Sequence, residues 1–176
     1  MKRSLCFLLI ISVLLIAVGC TKGADQYSFK AHYIRTNGYN DGGEYPLVRI
    51  IQSVDELNKY YEENKESYYL GHKTDPNTKE NIGFTDVCKR YDDQYFDDRI
   101  LLIILLEEGS GSIRHKVNKV GFKNSKLIVD IERITPEIGT CDMAEWHILI
   151  EPEAGVDTVS ESDVVVIIDG KSTTEK

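Results

Sequence analysis

The sequence predicts an α+β fold, a twisted antiparallel β-sheet of meander or barrel-like form with one main helix packed against it. Three observations carry this expectation. A helix-start signal coincides with helical spacing of apolar residues between Ser53 and Tyr61. Ile100 to Leu106 is an unbroken apolar run, as in a strand covered on both faces. The rest of the C-terminal half alternates short apolar stretches with turn residues, the pattern of successive strands. With 176 residues, 41% of them hydrophobic, the chain has enough material for one domain with a real core.

The N-terminus reads as an address. Lys2 and Arg3 precede fourteen mostly apolar residues, Leu5 to Val18, which is the layout of a secretory signal and too short to span a bilayer comfortably. The segment ends Ala17-Val18-Gly19-Cys20. Small residues before a cysteine resemble the bacterial lipobox, with Ala17 where Leu is commoner. The resemblance implies cleavage before Cys20, acylation of Cys20 and a palmitate-bearing lipoprotein on the outer, extracytoplasmic face of the cell membrane. More than one acyl chain would make that attachment stable. Ordinary secretion, with Cys20 a spare thiol, or an uncleaved anchor is the plainer alternative.

This division assigns residues 1–19 to the signal peptide, 20–26 to the lipidated Cys and a short tether, 27–170 to a single α+β domain and 171–176 to a polar tail. Removing the signal leaves 19 basic and 29 acidic residues, a formal charge of −10. So acidic a chain lacks the positive field that non-specific nucleic-acid binding requires, and no nucleic-acid partner is expected. Cys88 and Cys141 remain in the domain. In an oxidising compartment they pair across a long loop, or else stand apart as small apolar residues.

Tyr27, Phe29, Ala31 and Tyr33 alternate with polar residues and predict a strand with one buried face. Asn37-Gly38 and Asp41-Gly42-Gly43 mark turns, and Leu47 to Gln52 a second strand. Ser53 with Glu56 forms a capping box, followed by Val54, Leu57 and Tyr61 at helical spacing. Residues 71–86 read as an irregular surface loop, and Tyr91 to Phe96 as a short helix. After Ile100–Leu106, Glu107 to Ser112 is expected to form a hairpin loop, with strands over Ile113–Val120, Lys126–Ile134, Trp146–Glu151 and Val164–Asp169. Pairing Val120 with Lys126 sets Arg114 opposite Glu132 and Lys116 opposite Asp130, and opposed charges favour that register. The five basic residues between Gly109 and Val129 are then interleaved with acids and do not form a stripe for anionic lipid.

Catalytic patterns are absent from the sequence. Gly109-Ser110-Gly111-Ser112 lacks the Gly-Lys-Ser/Thr of a P-loop and the Gly-x-Ser-x-Gly elbow. It reads as turn chemistry, and also as a flexible polar tip through which a binding module contacts a partner. His32, His72, His115 and His147 show no metal-ligand spacing, and no metal or cofactor is expected. His115 shares a strand face with Val117 and reads as a core or edge histidine, whereas His147 is expected to face solvent or a shallow groove. Ser112–His115, or a serine with His147 and Asp142, defines an alternative: a small surface hydrolase. Asp92-Asp93 and Asp97-Asp98 define another, a calcium-stabilised small-ligand-binding domain, although they miss the EF-hand alternation.

Leu105-Leu106-Glu107-Glu108-Gly109-Ser110-Gly111-Ser112, an alternating strand with Val117 and Val120, then Leu127-Ile128-Val129-Asp130-Ile131 and Thr135-Pro136, resemble the PrcB C-terminal-type domain. The resemblance covers 105–151, and its Ser-Gly-Ser tip departs from the Thr-Gly-Gly-Tyr form of that family. It implies a non-catalytic, β-rich accessory module, in better-known members associated with a surface protease complex. No catalytic residue carries over, and Gly109–Ser112 is the one element transferred as a partner contact. The expected function is therefore a membrane-anchored, extracytoplasmic binding or accessory module with a protein partner.

Overall fold

The structure is a computed structural model that describes residues 25–36, 44–71, 83–153, 156 and 159–173. Cys20, the signal segment, His72 and the Asn37–Gly43 turns lie outside the described residues. In chain order the elements are β1 (Asp25–Gln26), β2 (Phe29–Thr36), β3 (Leu47–Ile51), α1 (Val54–Asn64), α2 (Phe84–Cys88), α3 (Asp93–Phe96), β4 (Leu101–Glu108), β5 (Arg114–Lys123), β6 (Lys126–Ile134), β7 (Ala144–Pro152), a 3₁₀ turn (Glu161–Asp163), β8 (Val164–Ile168) and β9 (Lys171–Ser172).

The chain is mostly β-sheet, and it builds two sheets where the sequence predicted one. A five-stranded sheet runs β1-β5-β6-β8-β9 and a four-stranded sheet runs β2-β7-β4-β3. Pairing is antiparallel except between β6 and β8, which run parallel. The inward face of the second sheet (Leu102, Ile104 and Leu106; Trp146, Ile148 and Ile150) meets the inward residues of β5, β6 and β8 in one core. Its other face (Leu101, Ile103, Leu105, Leu149) buries Leu57, Tyr60, Tyr68, Phe84, Val87 and Tyr91. The layers are therefore helix, sheet, sheet. Coverage on both faces explains why β4 is a nearly continuous apolar run and why β7 is buried along its whole length, whereas β5 alternates because its outer face meets water.

Two devices tie the sheets together at their sides. The chain leaves β1, which pairs with β5, and enters β2, which pairs with β7. Between them Tyr27 N–H donates to Val120 O at 2.9 Å and Ser28 O accepts from Glu153 N–H at 2.8 Å. One extended segment thus switches sheets, the usual way to make a sandwich corner. On the opposite side, Glu161 accepts from the Ile50 N–H and from Arg49, both at 3.3 Å, and covers the free edge of β3. The sheets keep separate edges, and a closed barrel is not formed among the described residues.

Helix α1 starts as expected. Ser53 Oγ accepts from the Glu56 N–H at 3.1 Å, and the Glu56 carboxylate reaches back to the Gln52 N–H at 2.8 Å. Leu57 and Tyr60 are its buried residues. It does not cover the sheet alone, because α2 adds Phe84 and Val87. Residues 84–86 fall in the stretch expected to be loop, and two buried apolar side chains at helical spacing, Phe84 and Val87, explain the difference. Asp25–Gln26 and Lys171–Ser172, assigned from sequence to the tether and the tail, are strands of the five-stranded sheet. No helix among the described residues is long and apolar enough to cross a membrane.

The β5–β6 register also differs. Lys123 faces Lys126, Lys116 faces Glu132 and Arg114 faces Ile134, with a bulge between Val117 and Lys119 that brings Lys119 opposite Asp130. A two-residue turn, Asn124-Ser125, replaces the longer loop expected over Gly121–Ser125. The basic residues still meet acids, through a different pairing.

Candidate functional site

Gly109–Ser112 does not form a hairpin tip. Strand β4 pairs with β3 and β7, and β5 pairs with β1 and β6, so the segment is a corner that carries the chain from one sheet to the other. Nor does it hang free. Gly111 N–H donates to Asp142 O at 2.8 Å, Thr140 N–H donates to Ser112 Oγ at 3.0 Å, and the Ser112 and Thr140 hydroxyls are 3.0 Å apart. A Cβ at Gly111 would displace the ends of the Arg35 and Asp142 side chains, which lie against the glycine.

Arg35 projects from β2 and donates to Asp142 Oδ2 at 2.5 Å. The Thr140 hydroxyl first, then Arg35 and the Gly111 N–H, hold the Asp142 carboxyl down at about 2. Arg114 donates to Gly111 O at 2.8 Å while its guanidinium lies 5.2 Å from the Trp146 ring centre. Beneath the corner, buried Glu108 accepts from Arg133 Nε at 2.7 Å and lies 2.8 Å from His115 Nε2. Burial alone would raise the Glu108 carboxyl, but the bonds from His115 and Arg133 outweigh it and hold it low.

Segment 135–143 flanks this corner and turns large apolar side chains outward. Ile138 is 88% exposed and Met143 57%, and Ile134 at the end of β6 joins them. These three side chains contribute nothing to the domain's own core. The chain enters at the other end, where Asp25 faces Phe122. The length of β5 separates the two regions by roughly 25–30 Å.

Of the hydrolase alternative, Ser112 and Asp142 share the corner, but the two histidines lie on opposite faces of β7. His115 lies against Trp146 on the sandwich side of β7, with ring centres 5.5 Å apart. His147 projects from the opposite face among Tyr60, Tyr68 and Phe84. Ser112 bonds Thr140, and Asp142 bonds Arg35. The expectation that His147 meets solvent is overturned: it is 0% exposed, with Nδ1 3.2 Å from Thr36 Oγ1, and burial pushes it down to about 3.

Asp92 serves as the N-cap of α3, accepting from the Tyr95 N–H at 2.9 Å. Among the described residues no three acidic, His or Cys side chains converge as metal ligands. Cys88 and Cys141 are free thiols, the first half-buried and the second exposed. Burial pushes the Cys88 thiol up to about 12, which keeps it protonated and unreactive.

Sequence reasoning missed Glu107 and Glu145. They are Cα partners across β4 and β7, facing the helical layer. Glu145 is 3% exposed, and its Oε2 has no hydrogen-bond partner among the described residues. Burial, then the Glu107 charge, pushes its carboxyl up to about 7. The signal was available: acids inside strands that are otherwise apolar on both sides. Arg35 and Arg133 left no comparable trace, because their partners are more than 20 residues away in sequence.

What these features define is a β-sandwich with a helical cover and a structured rim at the end remote from chain entry. Compared with protein-family models, with curated proteins and with solved structures, the chain matches none.

Proposed function

We propose that this chain is a lipid-anchored, extracytoplasmic module that binds a protein partner and has no catalytic role of its own. Acylated Cys20 holds it to the outer face of the cell membrane, and the contact surface is the Gly109–Ser112 corner with Ile138 and Met143. The observation that carries this reading is the polarity of the domain. Residue 25 enters at one end of the β5–β6 pair, and the exposed apolar rim stands at the other. The lipobox-like Ala17-Val18-Gly19-Cys20 supports the anchor. The likeness of 105–151 to the PrcB C-terminal-type domain supports a partner within a surface protease complex.

The test is crosslinked affinity capture from detergent-extracted native membranes, comparing the wild type with Ser110→Glu/Ser112→Glu and with Ile138→Lys. A partner held by the wild type and lost from both variants is the expected result. Equal capture by all three would remove the rim from the contact. Cys20→Ala is expected to move the protein from the membrane to the soluble fraction, and retention on the membrane would contradict the anchor.

A further inference from the structure

Strand β2 lies at one edge of its sheet and pairs with β7 alone among the described residues. Its register with β7 continues back through Ser28, whose C=O accepts from the Glu153 N–H at 2.8 Å. Bonded and open positions alternate along an antiparallel pair. Lys30, His32 and Ile34 therefore point their backbone groups at β7, and Phe29, Ala31 and Tyr33 point theirs outward. The outward series begins at Tyr27, whose N–H donates to Val120 O at 2.9 Å. Beyond it the chain passes to the second sheet, and no strand among the described residues pairs with the other three. Such a row of donors and acceptors is a template for an added strand.

Charge selects what can occupy this edge. Lys30 and His32 carry their side chains on the helical face, opposite Glu151 and Leu149 of β7. Glu151 Oε1 already accepts from the Tyr91 hydroxyl at 3.0 Å and lies 2.9 Å from His32 Nε2. The same Nε2 lies 3.0 Å from Nη1 of exposed Arg90. It cannot both donate to Glu151 and accept from Arg90, so one of the two contacts is unfavourable. A carboxylate arriving beside Lys30 would take the Arg90 guanidinium and leave His32 to Glu151. A second copy of β2 would instead bring another Lys30 and His32 to the edge, setting like charges together. On the sandwich face, Phe29, Ala31 and Tyr33 pack against the core, so an added strand extends apolar cover there. We propose that the outer edge of β2 takes up an extended acidic segment of a partner protein as an additional strand, its acidic side chains toward Lys30 and Arg90 and its apolar ones toward the sandwich. This surface is not the rim, and Ile138→Lys is expected to leave the binding unchanged.

The test is amide hydrogen exchange, followed by NMR on the isotopically labelled protein, with one peptide that alternates Glu with Val and one that alternates Lys with Val. The Glu peptide is expected to protect the Phe29, Ala31 and Tyr33 amides, while Lys30, His32 and Ile34, already bonded to β7, change little. Ala31→Pro removes one outward N–H and no bond to β7, and is expected to abolish the protection. Lys30→Glu and Arg90→Glu, both at exposed positions, are each expected to weaken binding about five- to tenfold. Unchanged spectral dispersion in these two variants separates lost binding from lost folding. Four results would overturn the proposal. The Glu peptide could leave the three amides unprotected, the Lys peptide could protect them equally, or binding could survive both charge reversals unchanged. The fourth is protection that rises with protein concentration in the absence of peptide, which would give the edge to a second copy.

Discussion

Glu145 shows how one residue can carry a cost that the rest of a strand conceals. Its neighbours on β7 are buried and apolar, and its cross-strand partner is another carboxylate. With its folded pKa near 7 and an unfolded value near 4.5, the native state holds a proton that the unfolded chain releases between those values. The contribution to stability is therefore fully present below pH 4.5 and is lost as pH rises through 7. Glu145→Gln is expected to be more stable than the wild type at pH 8, by up to about 3 kcal/mol, and nearly equal to it at pH 4. Urea denaturation at the two pH values measures this. His147 acts in the opposite sense: held down to about 3 by burial, it withdraws stability as pH falls from 6.5. It does so in both proteins, so it cancels from the comparison. The burial of His147 was not legible from sequence. A strand reading of Trp146–Glu151 gives His147 an outward face only if one face of β7 is open, and helices brought from residues 54–91 close it.

At the scale of elements, local signals were read well and pairings poorly. Helix α1 announces itself through Ser53 and Glu56, whose side chains satisfy backbone N–H groups within four residues in sequence. Ser53→Ala is expected to cost about 1 kcal/mol in urea denaturation, the usual loss for a removed N-cap. The β5–β6 hairpin was recognised as a hairpin, but its turn was placed too early. Opposed charges did not select among registers, because a bulge after Val117 allows a second arrangement that also pairs Lys with Glu and Asp. The turn itself holds Asn124 at φ 52° and Ser125 at φ 61°. Two positive φ values favour Asn-Gly, and serine is strained in the second position. Ser125→Gly is expected to raise stability by about 0.5–1 kcal/mol, read as a higher denaturation midpoint. No change, or a decrease, would mean that the turn is not formed this way.

For the whole molecule, what sequence could not reveal is which strands share a sheet. Ile113–Val120 follows Ile100–Leu106 after a short Gly/Ser segment, and proximity suggests a hairpin. In the fold, β4 is a central strand of one sheet and β5 belongs to the other, so the segment between them becomes a pinned corner. The parallel β6–β8 pair and the switch of the N-terminal strand between sheets are likewise set by packing between residues far apart in sequence. The candidate contact segment, read from sequence as a hairpin tip, is a corner between the two sheets. Its surroundings (Arg35, Thr140, Asp142, Ile138 and Met143) emerge only when the two sheets are closed.

The proposed role makes one end of this sandwich the working end. It can be examined in intact cells by placing a photo-crosslinking residue at Ile138, on the rim, or at Lys123, beside the point of chain entry. The expected result is a discrete crosslinked protein from position 138 and none from position 123. Crosslinks of equal yield from both positions, or a partner captured at 123 alone, would contradict a module that faces away from its membrane anchor.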